Sequence, residues 1–179
     1  MSCVAHYAVI AIGADRPGIV AGLTAALLEH GANLEDVSSS ILRGYFAIML
    51  VVDVPDSPGA EPLQASLEAA ARPLGVSVFV RDVEAAAPRR THATHALVAY
   101  GADRPGIVAG LAALLADRGV NVADLSCRLT GEDPPVYVLV AEVTVPDGVE
   151  AGALNAEIGA RAKELSVDVT FSSIEADTL

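Results

Sequence analysis

The chain of 179 residues is 53% hydrophobic and only 19% charged, a composition that predicts folded domains and excludes extended disorder. Its 11 basic and 23 acidic side chains give a formal net charge of -12. Binding to a nucleic-acid backbone needs the opposite charge, because it depends on Lys and Arg replacing condensed cations. We therefore expect a folded protein that does not contact nucleic acid directly.

Membrane insertion and secretion are also disfavoured. The longest uninterrupted apolar stretch, residues 45–52, is far shorter than the ~20 residues of a membrane-spanning helix. The first residues lack the basic segment and apolar core of a secretory signal, so we expect a cytoplasmic protein with no membrane contact. Cys3 and Cys127 are too few for a disulfide framework or a zinc site. We expect Cys127 to be a small buried thiol, and a bridge between the two cysteines stays open.

An internal repeat organises the chain. The segment GADRPGIVAGL at residues 13–23 recurs letter for letter at residues 101–111, an offset of 88 residues. The same offset relates sparser pairs further on: Gly31 and Gly119, Asn33 and Asn121, Asp36 and Asp124, Ser38 and Ser126. The chain is therefore a duplicated domain. The copies fall out of register by three residues before Pro55 and Pro146, which places an insertion in a turn at residues 131–135.

Each copy predicts the same six elements from its hydrophobic periodicity and its turn residues. In chain order, with the first copy given before the second, these are a strand (7–12; 95–100), a helix ending at a glycine (Gly31; Gly119), a strand (34–42; 122–129), a strand (45–54; 136–145), a helix (61–74; 149–165) and a strand (76–83; 167–174). The order strand, helix, strand, strand, helix, strand is that of a ferredoxin-like unit. We assign residues 1–84 to the first domain, 85–92 to a linker and 93–179 to the second domain.

Two local signals fix details of this arrangement. Pro17 and Pro105 suit the first position of a helix, where a missing N–H group is not needed. Arg43-Gly44 between two strand patterns predicts a compact hairpin turn.

The repeated Asp-Arg-Pro-Gly-Ile-Val string lies where the first strand ends and the first helix begins. We expect the N–H groups of Gly18, Ile19 and Val20 to point out of the helix end, where they can hold an anion such as a carboxylate. Gly18 allows the backbone to approach a ligand closely. Asn33, repeated as Asn121, offers a donor and an acceptor to the two charged groups of one amino acid.

A structural explanation stays open for each of these residues. Asp15 can cap its own helix, Pro17 and Gly18 can shape the turn, and Asn33 can satisfy backbone groups after the helix. The repeat does not decide between the two interpretations, because duplication copies structural and functional residues alike.

With Asp-Arg-Pro-Gly-Ile-Val after the first strand and Gly-x-Asn before the second, both halves of the chain resemble the ACT domain. The resemblance implies an α+β fold of two tandem ferredoxin-like βαββαβ units with antiparallel sheets, packed as an intrachain pseudo-dimer. Tandem ACT pairs without an attached enzyme resemble the glycine-cleavage-system transcriptional repressor family. We therefore expect a non-catalytic regulator that senses a small amino acid, of the glycine or serine class, and acts through a protein partner such as a transcription factor or an enzyme.

The resemblance also implies which residues bind the effector. In amino-acid-binding ACT domains, the ligand contacts the residue before Arg-Pro-Gly, the Gly itself and the Asn that opens the second strand, at a place where two units lie side by side, which points to Asp15, Gly18 and Asn33 and to Asp103, Gly106 and Asn121. We add the rest of each loop because of its helix-start N–H groups. The corresponding residues are Asp15, Arg16, Pro17, Gly18, Ile19, Val20 and Asn33 in the first copy, and Asp103, Arg104, Pro105, Gly106, Ile107, Val108 and Asn121 in the second. The serine-sensing type often has Asn in place of Asp15 and Asp103, so the identity of the amino acid stays open, as does homodimerisation.

Catalytic interpretations find little support. His92 and His95 flank the start of a strand, but residues three apart in a strand point to opposite faces, and His6 and His30 are isolated surface or cap residues. The serines at residues 38–40 lack a nucleophile elbow, and the glycine-rich string lacks the spacing of a nucleotide loop. We expect no catalytic residue, no metal and no cofactor. Three hypotheses remain: an amino-acid sensor, a ligand-free interaction or oligomerisation module, and an undetected enzyme.

Overall fold

The computed structural model describes residues 4–55, 58–84, 92–131 and 134–174, which form two compact units, one before and one after residues 85–91. The elements of the first unit are β1 (Val4–Ala14), α1 (Ile19–Glu29), β2 (Asn33–Leu42), β3 (Tyr45–Pro55), α2 (Ala60–Ala71), a short 3-10 helix (Arg72–Leu74) and β4 (Val76–Asp82). Those of the second unit are β5 (His95–Ala102), α3 (Ile107–Asp117), β6 (Asn121–Thr130), β7 (Val136–Thr144), α4 (Ala151–Leu165) and β8 (Val167–Ser173). The predicted linker, except for His92, lies outside the described residues, and the domain limits stay predictions.

Both units have the same sheet topology. The strand orders are β2-β3-β1-β4 and β6-β7-β5-β8, and every neighbouring pair is antiparallel. The predicted α+β fold of two ferredoxin-like βαββαβ units is therefore confirmed. None of the helices within the described residues is long and apolar enough to cross a membrane.

The core of each unit lies between the sheet and its two helices. In β1 and β3 the buried side chains alternate with more exposed ones, as expected for strands with one covered face. The first core includes Tyr7, Val9, Leu50 and Val52 from the strands, and Leu23, Leu27, Leu63 and Leu67 from the helices. Full burial of one such aliphatic side chain contributes about 1.5–3 kcal/mol. The helices are therefore held to the sheet mainly by these leucines.

The hairpin turns agree with the sequence pattern. Arg43 and Gly44 both have positive φ, 49° and 81°, as a two-residue type I′ turn requires. In the second unit β6 ends at Thr130 and β7 begins at Val136, so this connection is longer by three residues. The predicted insertion at residues 131–135 is confirmed.

The start of the first helix in each unit differs from the prediction. Pro17 and Pro105 do not occupy the first helical position, because α1 and α3 begin two residues later, at Ile19 and Ile107. The intervening glycine, Gly18 in the first unit, has a φ of 97°, which interrupts the helical backbone conformation directly after the proline. The proline therefore shapes the loop, and the glycine occupies the N-cap position.

Cys127 also differs from the prediction, because its side chain is exposed. It lies on β6, an edge strand in which all ten residues are exposed, so burial in the core is not available to it. Cys3 lies outside the described residues.

Candidate functional site

The loop between β1 and α1 presents a helix start to solvent. The N–H of Asp15 donates to the carbonyl oxygen of Gly44 at 2.8 Å, which ties the loop to the β2–β3 turn. The N–H of Gly22 donates to the carbonyl oxygen of Gly18, also at 2.8 Å, and this is the first hydrogen bond of the helical ladder. The N–H groups of the three residues after Gly18 therefore precede that ladder and carry the positive end of the helix dipole.

The side chains of the loop divide into two groups. Asp15, Arg16 and Pro17 are exposed, whereas Ile19 is only 2% exposed and belongs to the core. Ile19 can therefore offer a ligand only its backbone N–H. The N-cap of α1 is Gly18, with no side-chain capping hydrogen bond, so Asp15 does not cap the helix. Its carboxylate stays in contact with solvent beside the helix start.

The second unit repeats this geometry. Gly106 is the N-cap of α3 with a φ of 99°, and its carbonyl oxygen accepts from the N–H of Gly110 at 2.8 Å. Ile107 is 2% exposed, like Ile19. Asp103, Arg104 and Pro105 are exposed, and Val108 is half-buried. The two units therefore present loops of equivalent geometry.

Asn33 lies far from the loop of its own unit. It is the first residue of β2 and pairs with Asp53 of β3, which in turn pairs with His6 near the start of β1. The loop follows Ala14 at the other end of β1, about 26 Å away at 3.3 Å per residue. Asn121 is placed in the same way in the second unit, because it pairs with Thr144. Within one unit, the structure does not bring the two parts of the predicted site together.

One edge strand connects the two parts. β2 runs from Asn33 to the turn beside the loop, and each of its ten residues is exposed. Its apolar residues Leu34, Val37 and Ile41 pair with buried residues of β3 and so share the face of the sheet that carries the helices, yet they are 40%, 51% and 59% exposed. The equivalent strand β6 exposes Val122, Leu125 and Leu129 in the same manner. Each unit therefore has an open, apolar strand edge that leads from the asparagine to the loop.

The opposite edge of the first sheet, formed by β4, is partly occupied by a side chain. The backbone N–H of Val80 on β4 donates to Oε1 of Gln64 on α2 at 3.2 Å. A glutamine side chain thus occupies a position where an added strand would bind. A cavity of about 470 Å³ lies beside this edge, lined by residues of α2 and β4, and it contains none of the predicted ligand-binding residues. The β2 edge is therefore the better candidate for pairing with another strand.

A tyrosine distinguishes the second loop from the first. Tyr137 of β7 pairs with Gly101, just before the second loop. A hydrogen bond with Cys127, burial and the nearby Asp103 raise the pKa of Tyr137 to about 12. The corresponding residues of the first unit are Phe46 and Ser39, which differ from Tyr137 and Cys127 in hydrogen-bonding capacity. The hydrophobic pattern does not reveal this pair, whereas alignment of the two copies beyond the identical string does.

His95 packs against its neighbours in the second unit. Its ring stacks on that of Phe171 with centroids 4.8 Å apart and an interplanar angle of 5°. Its Nδ1 lies 2.9 Å from Oγ1 of Thr94. These contacts give His95 a structural role within the second unit.

Comparison with known proteins identifies the family. ACT-domain family models match residues 6–81 and 95–153, together more than half of the chain. The chain therefore belongs to the ACT-domain family and contains two ACT domains in tandem, as the sequence pattern predicted. ACT domains are regulatory modules that typically sense amino acids.

Relatives and solved structures agree with this assignment. A UPF0237 protein of Methanopyrus kandleri is 46% identical over 74 residues, which are 41% of this chain and 82% of that protein. A protein of unknown function from Galdieria sulphuraria has a TM-score of 0.80 at 24% identity, covering 96% of this chain and 99% of that chain. A protein provisionally assigned as a glycine cleavage system transcriptional repressor has a TM-score of 0.74 at 18% identity, covering 97% and 99%. At these identities the two structures are evidence for the fold alone.

Proposed function

We propose that the protein is a non-catalytic regulator that binds a small amino acid, of the glycine or serine class, at a composite site. One ACT unit contributes its loop and helix start, residues 15–20 or 103–108. Another ACT unit contributes the asparagine at the start of its edge strand, Asn33 or Asn121. The observation that carries the proposal is the position of the loop and the asparagine at opposite ends of one edge strand, β2, which pairs with β3 on one side and is exposed on the other.

Antiparallel pairing of two such edges explains why the loop and the asparagine of one unit lie far apart. When two strands pair antiparallel, the beginning of one lies beside the end of the other. The asparagine of one unit then lies beside the loop of its neighbour. Pairing also covers the exposed apolar residues of the edge, which removes a surface that favours aggregation. The neighbouring unit is supplied by a second copy of the chain, so we expect the mass of the protein in solution to be that of a dimer.

The chemistry of the composite site suits a free amino acid. The N–H groups at the helix start attract the carboxylate, because they carry the positive end of the helix dipole. The exposed carboxylate of Asp15 or Asp103 accepts hydrogen bonds from the ammonium group. The side-chain amide of Asn33 or Asn121 donates to the ligand carboxylate and accepts from the ligand ammonium group. The glycine or serine class follows the resemblance of the tandem sequence pattern to the glycine-cleavage-system transcriptional repressor family.

The net charge determines how the signal is passed on. At -12, the chain repels a phosphate backbone, so an effect on transcription requires a partner protein that contacts the DNA. A transcription factor or an enzyme in the cytoplasm is the expected partner.

Thermal unfolding against a panel of amino acids tests the proposal. A ligand that binds only the folded state stabilises it by RT ln(1 + [L]/Kd), about 2.7 kcal/mol at a hundredfold excess over Kd. We expect a selective rise in Tm with one small amino acid and its loss in the double variant Asn33→Ala plus Asn121→Ala. Asn155→Ala, on an exposed position of α4, is the matched control and should keep the full shift.

Two results contradict the proposal in different ways. An unchanged shift in the double variant would show that the ligand binds elsewhere. A flat panel at millimolar concentrations would favour a ligand-free oligomerisation module, for which the exposed apolar edges of β2 and β6 are the supporting observation.

A further inference from the structure

A row of polar residues crosses the first sheet at the end remote from the loop. His6 on β1 is directly opposite Asp53 on β3, so both side chains project from the same face. Their neighbours Tyr7 and Val52 point into the core between sheet and helices. The His6–Asp53 pair therefore lies on the face of the sheet that carries no helix.

A β-bulge adds a third group to this row. The register of β2 against β3 shifts between Leu34 and Asp36, which leaves Glu35 as the extra residue. Bulges redirect side chains, and here one ligand atom each from His6, Glu35 and Asp53 lies within 4.8 Å of the others. An imidazole and two carboxylates thus converge from three strands.

His6 and Asp53 are held by their mutual contact, whereas Glu35 is accessible to solvent. Nδ1 of His6 lies 2.5 Å from Oδ1 of Asp53, and the two side chains are 25% and 23% exposed. Glu35 is exposed. A pair fixed by its strands with a movable third group can receive an ion from solvent.

The second unit shows that the fold does not need these residues. The equivalent positions are Thr94, Ala123 and Thr144, which contain neither an imidazole nor a carboxylate. The same bulge is nevertheless present, since the register of β6 shifts between Val122 and Asp124. Strand pairing and the bulge therefore form without the triad. A surface ion pair contributes only about 0–1 kcal/mol, so stability offers a weak reason for three converging groups.

We propose that His6, Glu35 and Asp53 bind one divalent transition-metal ion of the zinc class. Imidazole nitrogen with carboxylate oxygen is a ligand set that zinc accepts, with solvent water in the remaining position. Zn–N and Zn–O bonds of about 2.0–2.2 Å place tetrahedral ligand atoms about 3.3 Å apart. The exposed Glu35 side chain can approach by rotation, and Nδ1 of His6 and Oδ1 of Asp53, which lie 2.5 Å apart, have to separate to that spacing. The imidazole disfavours Mg²⁺ and Ca²⁺, which prefer oxygen ligands throughout.

Calorimetric titration of the full chain, first stripped of metal with a chelator, tests this site. We expect Zn²⁺ to bind with one ion per chain and Mg²⁺ to give no saturable binding. The triple variant His6→Thr, Glu35→Ala, Asp53→Thr places the second unit's own residues in the first unit and should abolish the binding. His6→Thr alone should weaken it more than about 100-fold, since losing a partner behind a ligand already costs about 10- to 100-fold.

Two controls make the result decisive. His92→Ala plus Cys127→Ser removes other exposed zinc-binding groups and should leave the stoichiometry and Kd unchanged. Circular dichroism and thermal unfolding should show that the triple variant is folded. Equal Zn²⁺ binding by the triple variant, or no saturable binding by the intact chain, would overturn the proposal. Either outcome leaves the amino-acid site untouched, because the titration contains no amino acid.

Discussion

The glycines of the repeated string meet different steric demands. A Cβ on Gly13 would lie 2.8 Å from the backbone carbonyl oxygen of Gly75, where the start of β4 passes β1. Gly18 has a φ of 97°, a conformation that side chains of other residues disfavour. A Cβ on Gly22 would lie 3.0 Å from a methyl group of Leu74. Much of the identity between the copies is therefore explained by packing, and the proposed ligand contacts rest on the exposed carboxylates and the helix-start N–H groups.

Substitution at Gly13 measures this packing. Gly13→Ala places a side-chain Cβ against the backbone carbonyl oxygen of Gly75, and we expect it to destabilise the first unit by about 1–3 kcal/mol. Differential scanning calorimetry measures the loss. Gly159→Ala is the control, because nothing lies within 4 Å of its added Cβ in α4, where alanine should stabilise the helix by about 0.5–1 kcal/mol. Equal stability of Gly13→Ala and the wild type would contradict the close approach.

Tyr137 should ionise at a higher pH than a phenol in water. Its phenol has a pKa of about 12, raised from 10.0 chiefly by the hydrogen bond with Cys127. Absorbance at 295 nm should therefore show a late ionisation that is absent in Tyr137→Phe. Because the folded-state pKa is the higher one, the associated stability is complete below pH 10 and is lost as the pH rises through about 12. Tyr45→Phe, at an exposed position of the first unit, should leave the late ionisation in place.

At the scale of the elements, the sequence predicted most of what local rules control. The Arg43-Gly44 turn has the two positive φ angles that its spacing implied, and the helices end before Gly31 and Gly119 as expected. The helix start was wrong because Gly18 interrupts the backbone after Pro17, an effect of one dihedral angle. The His6–Glu35–Asp53 group was missed because a bulge and the register of three strands create it, and neither follows from the sequence pattern around any one of them.

Charged substitutions on β2 and β6 test the proposed pairing of the edge strands. Val37→Lys plus Leu125→Lys places charges on equivalent positions of β2 and β6 without changing a proposed ligand contact. Both residues are exposed, so the folded units should be little affected, within about 0.5 kcal/mol. We expect the amino-acid-induced rise in Tm to disappear, because charged edges no longer pair. Leu28→Lys, an exposed leucine on α1, should keep the rise. A full rise in the edge variant would mean that one unit alone forms the site.

At the scale of the whole molecule, the sequence repeat predicted two copies of one fold, and the structure confirms that both form. The repeat alone does not show which residues around the loops differ between the copies. Phe46 and Ser39 beside the first loop correspond to Tyr137 and Cys127 beside the second, and the polar triad occurs in the first unit only. These differences lie outside the identical string, in strands whose pairing has to be known before the residues can be related.

The divergence around two otherwise identical loops has a consequence for dose response. In a symmetric dimer of a single-domain protein, the two sites have equal intrinsic affinities for the effector, and a mutation changes both affinities at once. Here each loop has its own neighbouring side chains, so we expect the two proposed sites to have different dissociation constants that mutations can adjust separately. A receptor with one tight and one weak site responds over a wider range of effector concentration than a symmetric one. For the proposed sensor, duplication within one chain thus makes a graded response accessible from a single ancestral loop.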